Sequence, residues 1–165
     1  MKNNLVIVFI LFSLNNLFSQ EEVNVGVNTG ITIGNIENFS TFAYGLDANY
    51  LFEVSNNIKV GPSLNFVLYL PKEFNGERKD SFLYMPIGGS VRFHSASDAF
   101  YFGIDAGFAV GLSPSGDRGG IFFKPLLGYK LTDSFKFNLF YSAVKKRQPT
   151  YSHLGLGIVY NLWGR

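Results

Sequence analysis

The sequence predicts an all-β chain folded as an eight-stranded antiparallel up-and-down transmembrane β-barrel, and three observations carry that expectation. The first is composition: of 165 residues, 47% are hydrophobic, 17% aromatic and only 16% charged, with eighteen Gly beside eighteen Phe and nine Tyr. Aromatics favour pleated surfaces and glycine weakens helices, so this palette speaks for strands and against a helical bundle or a disordered chain. The second is period. After Gln20 no segment places apolar residues at helical spacing, whereas alternation recurs in eight segments separated by short polar turns. The third is sidedness: sorted by parity, each segment has one apolar face that carries no charge.

The segments run 22–34, 41–53, 58–70, 82–94, 100–112, 120–131, 135–144 and 153–163, and they match or slightly exceed the ~9–11 residues of a tilted membrane strand. In the first, Val23, Val25, Val27, Ile31 and Ile33 oppose Asn24, Gly26, Asn28 and Gly30. The second sets Phe42, Tyr44, Leu46, Ala48, Tyr50 and Phe52 against Gly45, Asp47 and Asn49. The third sets Ile58, Val60, Leu64, Phe66 and Leu68 against Lys59, Gly61 and Asn65. Leu83, Met85, Ile87, Val91 and Phe93 then oppose Gly88 and Arg92, and Phe102, Ile104, Ala106, Phe108 and Val110 oppose Gly103, Asp105, Gly107 and Gly111. Ile121, Phe123, Leu127 and Tyr129 face away from Lys124, Gly128 and Lys130; Phe137, Leu139 and Tyr141 face away from Lys136 and Asn138. The last segment divides Leu154, Leu156, Ile158, Tyr160 and Leu162 from Gly155, Gly157 and Asn161.

Alternation does not say which face points outward. A lipocalin-like cup in water would bury the apolar face, and a membrane barrel would turn it to lipid. The polar face is mostly Gly and small residues with few charges, a poor coat for water but suited to a narrow lumen. On the apolar face Tyr50, Phe52, Phe93, Phe100, Phe102, Tyr129, Phe135, Phe137 and Tyr160 lie toward one end, as an interfacial girdle would. Connections 35–40, 71–81, 113–119 and 145–152 are longer than 54–57, 95–99 and 132–134. Long outer loops and short periplasmic turns alternate in this way in membrane barrels.

Residues 1–20 carry Lys2, an apolar run from Leu5 to Phe12 and then polar and small residues, the pattern of a cleaved signal peptide. Eight apolar residues fall far short of the ~20 that a spanning helix needs. The expected organisation is therefore a signal peptide over 1–20 and one barrel domain over 21–165, exported to the outer membrane. Without Lys2 the formal charge of +2 becomes +1, since thirteen basic and twelve acidic residues follow Gln20; this near-neutral balance argues against a nucleic-acid partner. The chain has no Cys, which excludes disulfides, a lipoprotein anchor, thiolate metal sites and cysteine nucleophiles.

Three stretches carry a family resemblance: Tyr84-Met85-Pro86-Ile87, Phe100-Tyr101-Phe102-Gly103-Ile104-Asp105-Ala106-Gly107, and Leu154-Gly155-Leu156-Gly157-Ile158-Val159-Tyr160-Asn161-Leu162-Trp163. They resemble the small outer-membrane barrels of Bacteroidetes-type bacteria called PorT-like, similar in architecture to OmpA and OmpX. The last stretch resembles the terminal signal read by the barrel-assembly machinery, with Gly164 and Arg165 following Trp163 as a small departure. The resemblance implies fold and assembly route. It says little about activity, because such barrels host several.

His94, in Arg92-Phe93-His94-Ser95-Ala96-Ser97, and His153, in Tyr151-Ser152-His153, are the only histidines. Small outer-membrane barrels that modify lipid A use His with Ser and an acid, so both are candidates for a nucleophilic site. His94 falls at a short periplasmic turn, the wrong end for outer-leaflet chemistry, and His153 lacks a surrounding motif. No catalytic residue, cofactor or metal site is assigned. Two separated histidines without thiols make a poor transition-metal site, and glycines alternating inside strands do not form a phosphate loop. The residues singled out instead are the mid-height lumen charges Asp47, Arg92, Asp105 and Lys124, with Glu22, Glu53, Lys59, Lys130 and Lys136 toward the periplasmic end. Buried charges pair or stay hydrated, so a salt-bridged plug is expected.

Lys72, Arg78, Lys79, Arg118, Lys145, Lys146 and Arg147 in the outer loops suit lipopolysaccharide phosphates, with Glu73, Glu77, Asp80 and Asp117 as compensating charges. Expected partners are thus outer-membrane lipids, lipopolysaccharide and the assembly machinery, for a monomer with a structural or surface-interaction role. A lipid A-modifying enzyme and a narrow small-solute channel are the alternatives. Pro62, Pro86 and Pro125 fall within strands, where each removes a ladder donor that lipid cannot replace.

Overall fold

Alternation becomes strand in all eight places: β1 (Glu21–Ile33), β2 (Ser40–Ser55), β3 (Ile58–Pro71), β4 (Phe82–His94), β5 (Phe100–Ser113), β6 (Gly120–Lys130), β7 (Phe135–Lys145) and β8 (Tyr151–Gly164). This computed structural model describes residues 21–37, 39–74, 77–78, 81–146 and 149–164. The expected signal peptide over 1–20 lies outside the described residues, as do Lys79, Asp80 and Arg147 of the outer loops, and the side chains of Glu73, Glu77 and Arg78 are likewise not described. Each strand pairs antiparallel with its sequence neighbours, and β1 pairs with β8 to close the ring. Closure leaves no barrel edge, so every strand finds its ladder without water.

The barrel wall separates the two parities. Ile121 is 64% exposed while the adjoining Phe122 is 1% exposed; a one-residue slip in register would exchange them. The exposed set includes Val27, Ile31, Leu46, Ile87, Phe108, Leu127, Leu156 and Ile158. This is the uncharged face of the sequence, turned outward as a lipid-facing band. Among the described strand residues, charged side chains on the outside stand only at the rims, at Glu21 and Lys145.

The start of β1 and the end of β8 meet at one rim, where Glu22 lies opposite Gly164. Connections 56–57, 95–99 and 131–134 turn at this terminal rim; 34–39, 72–81, 114–119 and 146–150 turn at the other, the loop rim. The aromatics gather near the terminal rim in pairs, with ring centroids 4.8 Å apart for Phe100 and Tyr129, 5.0 Å for Phe135 and Tyr160, and 6.4 Å for both Tyr50–Phe52 and Phe93–Phe102. A short 3-10 turn, Gly34–Ile36, and a two-stranded hairpin, Glu73–Phe74 with Glu77–Arg78, add local order at the loop rim.

The prolines are accommodated without a bulge. An antiparallel residue sends its N–H and C=O to the same neighbour, so a proline weakens one ladder and spares the other. Pro62 stays in register with Gly89, Pro86 with Ala109 and Pro125 with Ile104. The ladder on the other side skips at each: between Asn49/Ser63 and Phe52/Val60, between Leu64/Ile87 and Val67/Tyr84, and between Phe123/Ala143 and Leu126/Phe140.

Glycine has a packing reason at Gly128. A Cβ there would fall inside the Tyr101 ring, which lies flat over the backbone of the neighbouring strand. An aromatic covering a strand glycine fills the lumen while leaving the wall curved.

Candidate functional site

The lumen, rather than any surface cleft, gathers the chain's polar side chains. At the terminal rim Glu22 on β1 accepts from two ammoniums at once, Lys59 of β3 and Lys136 of β7, each at 2.6 Å. Asn24 and Asn49 hydrogen-bond at 2.9 Å just above, Lys136 also donates to Asn24 at 3.3 Å, and the Tyr101 hydroxyl donates to Asn138. Glu22 thus serves both ammoniums, and Glu53, the other acid expected at this end, stands in register with Lys59.

At mid-height the four charges singled out from the sequence form two ion pairs. Arg92 Nη1 lies 2.6 Å from Asp105 Oδ1 on the adjoining strand, and Ser90 Oγ donates to the same oxygen at 2.6 Å. Lys124 Nζ reaches from β6 across the lumen to Asp47 Oδ2 on β2 at 2.6 Å, and Asn28 Nδ2 donates to that oxygen at 2.9 Å. The Lys124 ammonium also stands 4.3 Å from the centroid of the Phe140 ring. Every one of these charges thus has a charged partner and a second polar or aromatic contact, as burial demands.

Toward the loop rim the filling turns aromatic. Tyr69, Tyr84, Tyr151 and Phe82 pack with ring centroids 5.0 to 6.1 Å apart, joined by Val67, Phe122 and Val144. His153 is fully buried beneath them. Its Nδ1 lies 3.0 Å from the Tyr69 hydroxyl, and its ring meets those of Tyr69 and Phe140 edge-on. His94 stands at the opposite rim, stacked on Tyr101, with Nδ1 2.7 Å from Asp98 Oδ1. The two histidines therefore occupy opposite ends of the lumen and share no site.

Sequence parity placed Lys130 in the lumen beside Lys136. Its ammonium instead turns to the 95–99 and 131–134 turns, 2.9 Å from Asp98 and 3.4 Å from Asp133, because the strand ends there and solvent is within reach. Burial acts to raise the Asp98 carboxyl, but the bonds from Lys130 and His94 outweigh it and hold it below the ordinary carboxylate value. Asp98 has a positive φ of 54°, a conformation that Asp tolerates in turns.

Asp117 is more than a solvated loop charge. It folds back from the 114–119 connection, where its carboxylate accepts from the Tyr84 hydroxyl at 2.8 Å, from the Gly119 N–H at 2.8 Å and from the Lys146 ammonium. Here too burial opposes ionisation and the donors prevail, keeping the carboxyl below its ordinary value.

Six buried polar atoms on the lumen side find no partner among the described residues: Asn28 Oδ1, Asp47 Oδ1, Ser63 Oγ, Asn65 Nδ2, Ser142 Oγ and His153 Nε2. Groups so buried are served by water when protein does not serve them. No set of three metal-ligating side chains comes together among the described residues.

The aromatic cap was the part that sequence reasoning missed. A signal existed: Tyr69, Tyr84, Phe122 and Tyr151 stand at inward parity, where glycine and polar residues otherwise dominate.

No protein-family model matches the sequence, and no curated protein matches it. Solved structures do match in fold. Ail, the attachment invasion locus protein of Yersinia pestis, superposes with a TM-score of 0.59 at 13% identity, covering 87% of this chain and 98% of that one. Neisserial surface protein A gives 0.53 at 13% identity, covering 86% and 97%. The N-terminal β-barrel domain of Pseudomonas aeruginosa OprF gives 0.54 at 11% identity, covering 86% and 97%. At such identities the likeness is one of fold, and it places the chain's architecture among small eight-stranded outer-membrane barrels.

Proposed function

We propose that this chain is an outer-membrane barrel with a structural or surface-interaction role in the cell envelope, exported through a cleaved signal peptide and acting without catalysis. The observation that carries the proposal is the continuous uncharged outer band, closed on itself and bounded by an aromatic girdle at one rim. Such a surface is matched to hydrocarbon and its rim to a headgroup layer. The resemblance to PorT-like barrels belongs to this reading, as do its expected partners: outer-membrane lipids, lipopolysaccharide and the barrel-assembly machinery, with the chain a monomer.

The filled lumen favours this role over a channel. Two ionic layers, at the terminal rim and at mid-height, and an aromatic cap occupy the lumen, with Lys124 and Asp47 meeting from opposite walls. The buried position of His153 and the rim position of His94 favour it over a lipid A-modifying enzyme, since neither imidazole faces the acyl-chain region. Attachment is what the name of Ail speaks of and the surface what that of the Neisserial protein speaks of; the longest connection of this chain, 72–81, stands at the loop rim, where a surface-interacting barrel presents its contacts.

Cell fractionation tests the reading. The processed protein should sediment with the outer membrane, migrate faster unheated than boiled on SDS gels, and give no single-channel steps in planar bilayers. Recovery as a free periplasmic protein would falsify it. A change in lipid A mass spectra that is abolished by His153→Ala would replace it with the enzyme reading.

A further inference from the structure

At the loop rim the Lys146 ammonium is enclosed in a way that surface lysines are not. It stands 4.7 Å from the centroid of the Tyr84 ring and 4.8 Å from that of Tyr151, and it bonds the Asp117 carboxylate. The two rings are 5.2 Å apart and inclined at 56°, so they form two walls of a corner with the carboxylate as its floor. Two aromatic faces with an acid are the recognition chemistry of an alkylammonium group: the rings supply negative π faces and the acid a charged hydrogen-bond acceptor.

The walls and the occupant differ in how they are held. Tyr84 belongs to β4 and Tyr151 to β8, and both are buried. The floor is fixed independently of Lys146, because Asp117 also accepts from the Tyr84 hydroxyl and from the Gly119 N–H. Lys146 itself lies one residue past β7, in the 146–150 connection, and its side chain keeps 16% of its surface open. A preorganised corner filled by one flexible side chain from a connection is a site whose occupant can be exchanged.

We propose that Tyr84, Tyr151 and Asp117 form a binding cage for a small primary alkylammonium group, and that Lys146 is its resident intramolecular occupant. An external amine enters by displacing the Lys146 ammonium from the two rings and the carboxylate. A primary amine suits the cage better than a quaternary one, since the carboxylate needs an N–H to accept. The reading concerns the loop rim alone and stands apart from the role proposed above.

The test is a titration of the refolded barrel with ethylammonium chloride, read by NMR at the Gly119 amide and the Tyr151 ring. Lys146→Ala should bind saturably in the millimolar range, with wild type weaker by roughly tenfold because it must first expel its own lysine. Adding Asp117→Asn to Lys146→Ala should weaken binding by roughly tenfold again, and tetramethylammonium should bind less well than ethylammonium. Heat-dependent gel mobility confirms that each variant is a closed barrel, and Tyr151→Leu in the Lys146→Ala background tests a second wall should Asp117→Asn not fold. Spectra in phosphatidylethanolamine nanodiscs against phosphatidylglycerol nanodiscs, without added amine, separate a lipid headgroup from a dissolved amine as the source. Absence of saturable shifts in folded Lys146→Ala overturns the proposal, and so does binding that is indifferent to both Asp117→Asn and Tyr151→Leu.

Discussion

The Lys124 ammonium lies 2.6 Å from the Asp47 carboxylate although the two residues are 77 positions apart and stand on strands β6 and β2, four places from each other around an eight-stranded ring. This pair spans the lumen and ties opposite walls together. Both members are nearly enclosed, with side-chain exposures of 5% and 11%.

Breaking the pair from one side should therefore cost more than removing it whole. Lys124→Met leaves Asp47 buried with Asn28 as its remaining donor, and the expected loss is about 3 to 5 kcal/mol. Lys124→Met combined with Asp47→Leu should recover most of that, because no unpaired charge remains. Urea unfolding in detergent, followed by the fluorescence of the single tryptophan, Trp163, gives both numbers. A double variant as unstable as the single one would sink the argument.

Gly128 should be intolerant of a side chain for a steric reason that can be relieved. Gly128→Ala drives a methyl into the Tyr101 ring, and overpacking of this kind costs about 1 to 3 kcal/mol. In a Tyr101→Ala background the same substitution should cost much less, so a double-mutant cycle would return a clear coupling energy. Additive effects would mean that the ring does not set the constraint.

The loop rim should weaken in acid through Asp117. Its carboxyl is held below the ordinary value of 3.8 in the folded protein, so the unfolded chain takes up the proton first. The contribution is complete above that value and is lost as pH falls below it toward the folded value. Ring resonances of Tyr84 and Tyr151 should shift across this acid window, and Asp117→Asn should abolish the shift. Persistence of the same transition in the Asn variant would assign it to another group.

Pro125 interrupts the β6–β7 ladder between Phe123/Ala143 and Leu126/Phe140. Pro125→Ala supplies the missing N–H, and in the membrane its donor has no solvent to turn to. The new amide at 125 should be strongly protected in hydrogen exchange, with the barrel otherwise unchanged. Rapid exchange there would show that the strands have drifted apart at this point and that the proline is not the cause of the gap.

Much of the fold was legible because a strand has a side-chain period of two and a barrel has two chemically different faces. Val27 and Asn28, or Ile121 and Phe122, are assigned to outside and inside by parity alone, and the alternation of the connections between the two rims follows from the up-and-down order. Asp47, Arg92, Asp105 and Lys124 were visible as inward charges for the same reason. Their pairing was not: Asp105 and Lys124 are register neighbours, yet Asp105 is bound by Arg92 and Lys124 crosses to Asp47. The aromatic cap was hidden because Tyr69, Tyr84 and Tyr151 belong to three strands whose inward positions meet only after tilt and closure.

The sequence by itself therefore determined the strands, the face each residue occupies and the uncharged band that meets hydrocarbon, since these depend on neighbours one or two positions away. Only the tertiary structure decided which lumen charges neutralise each other, that Glu22 serves two lysines, and that Asp117, Tyr84, Tyr151 and Lys146 converge at one rim. Those contacts run across the barrel, and their partners are chosen by the strand register and ring closure that bring distant positions to the same height.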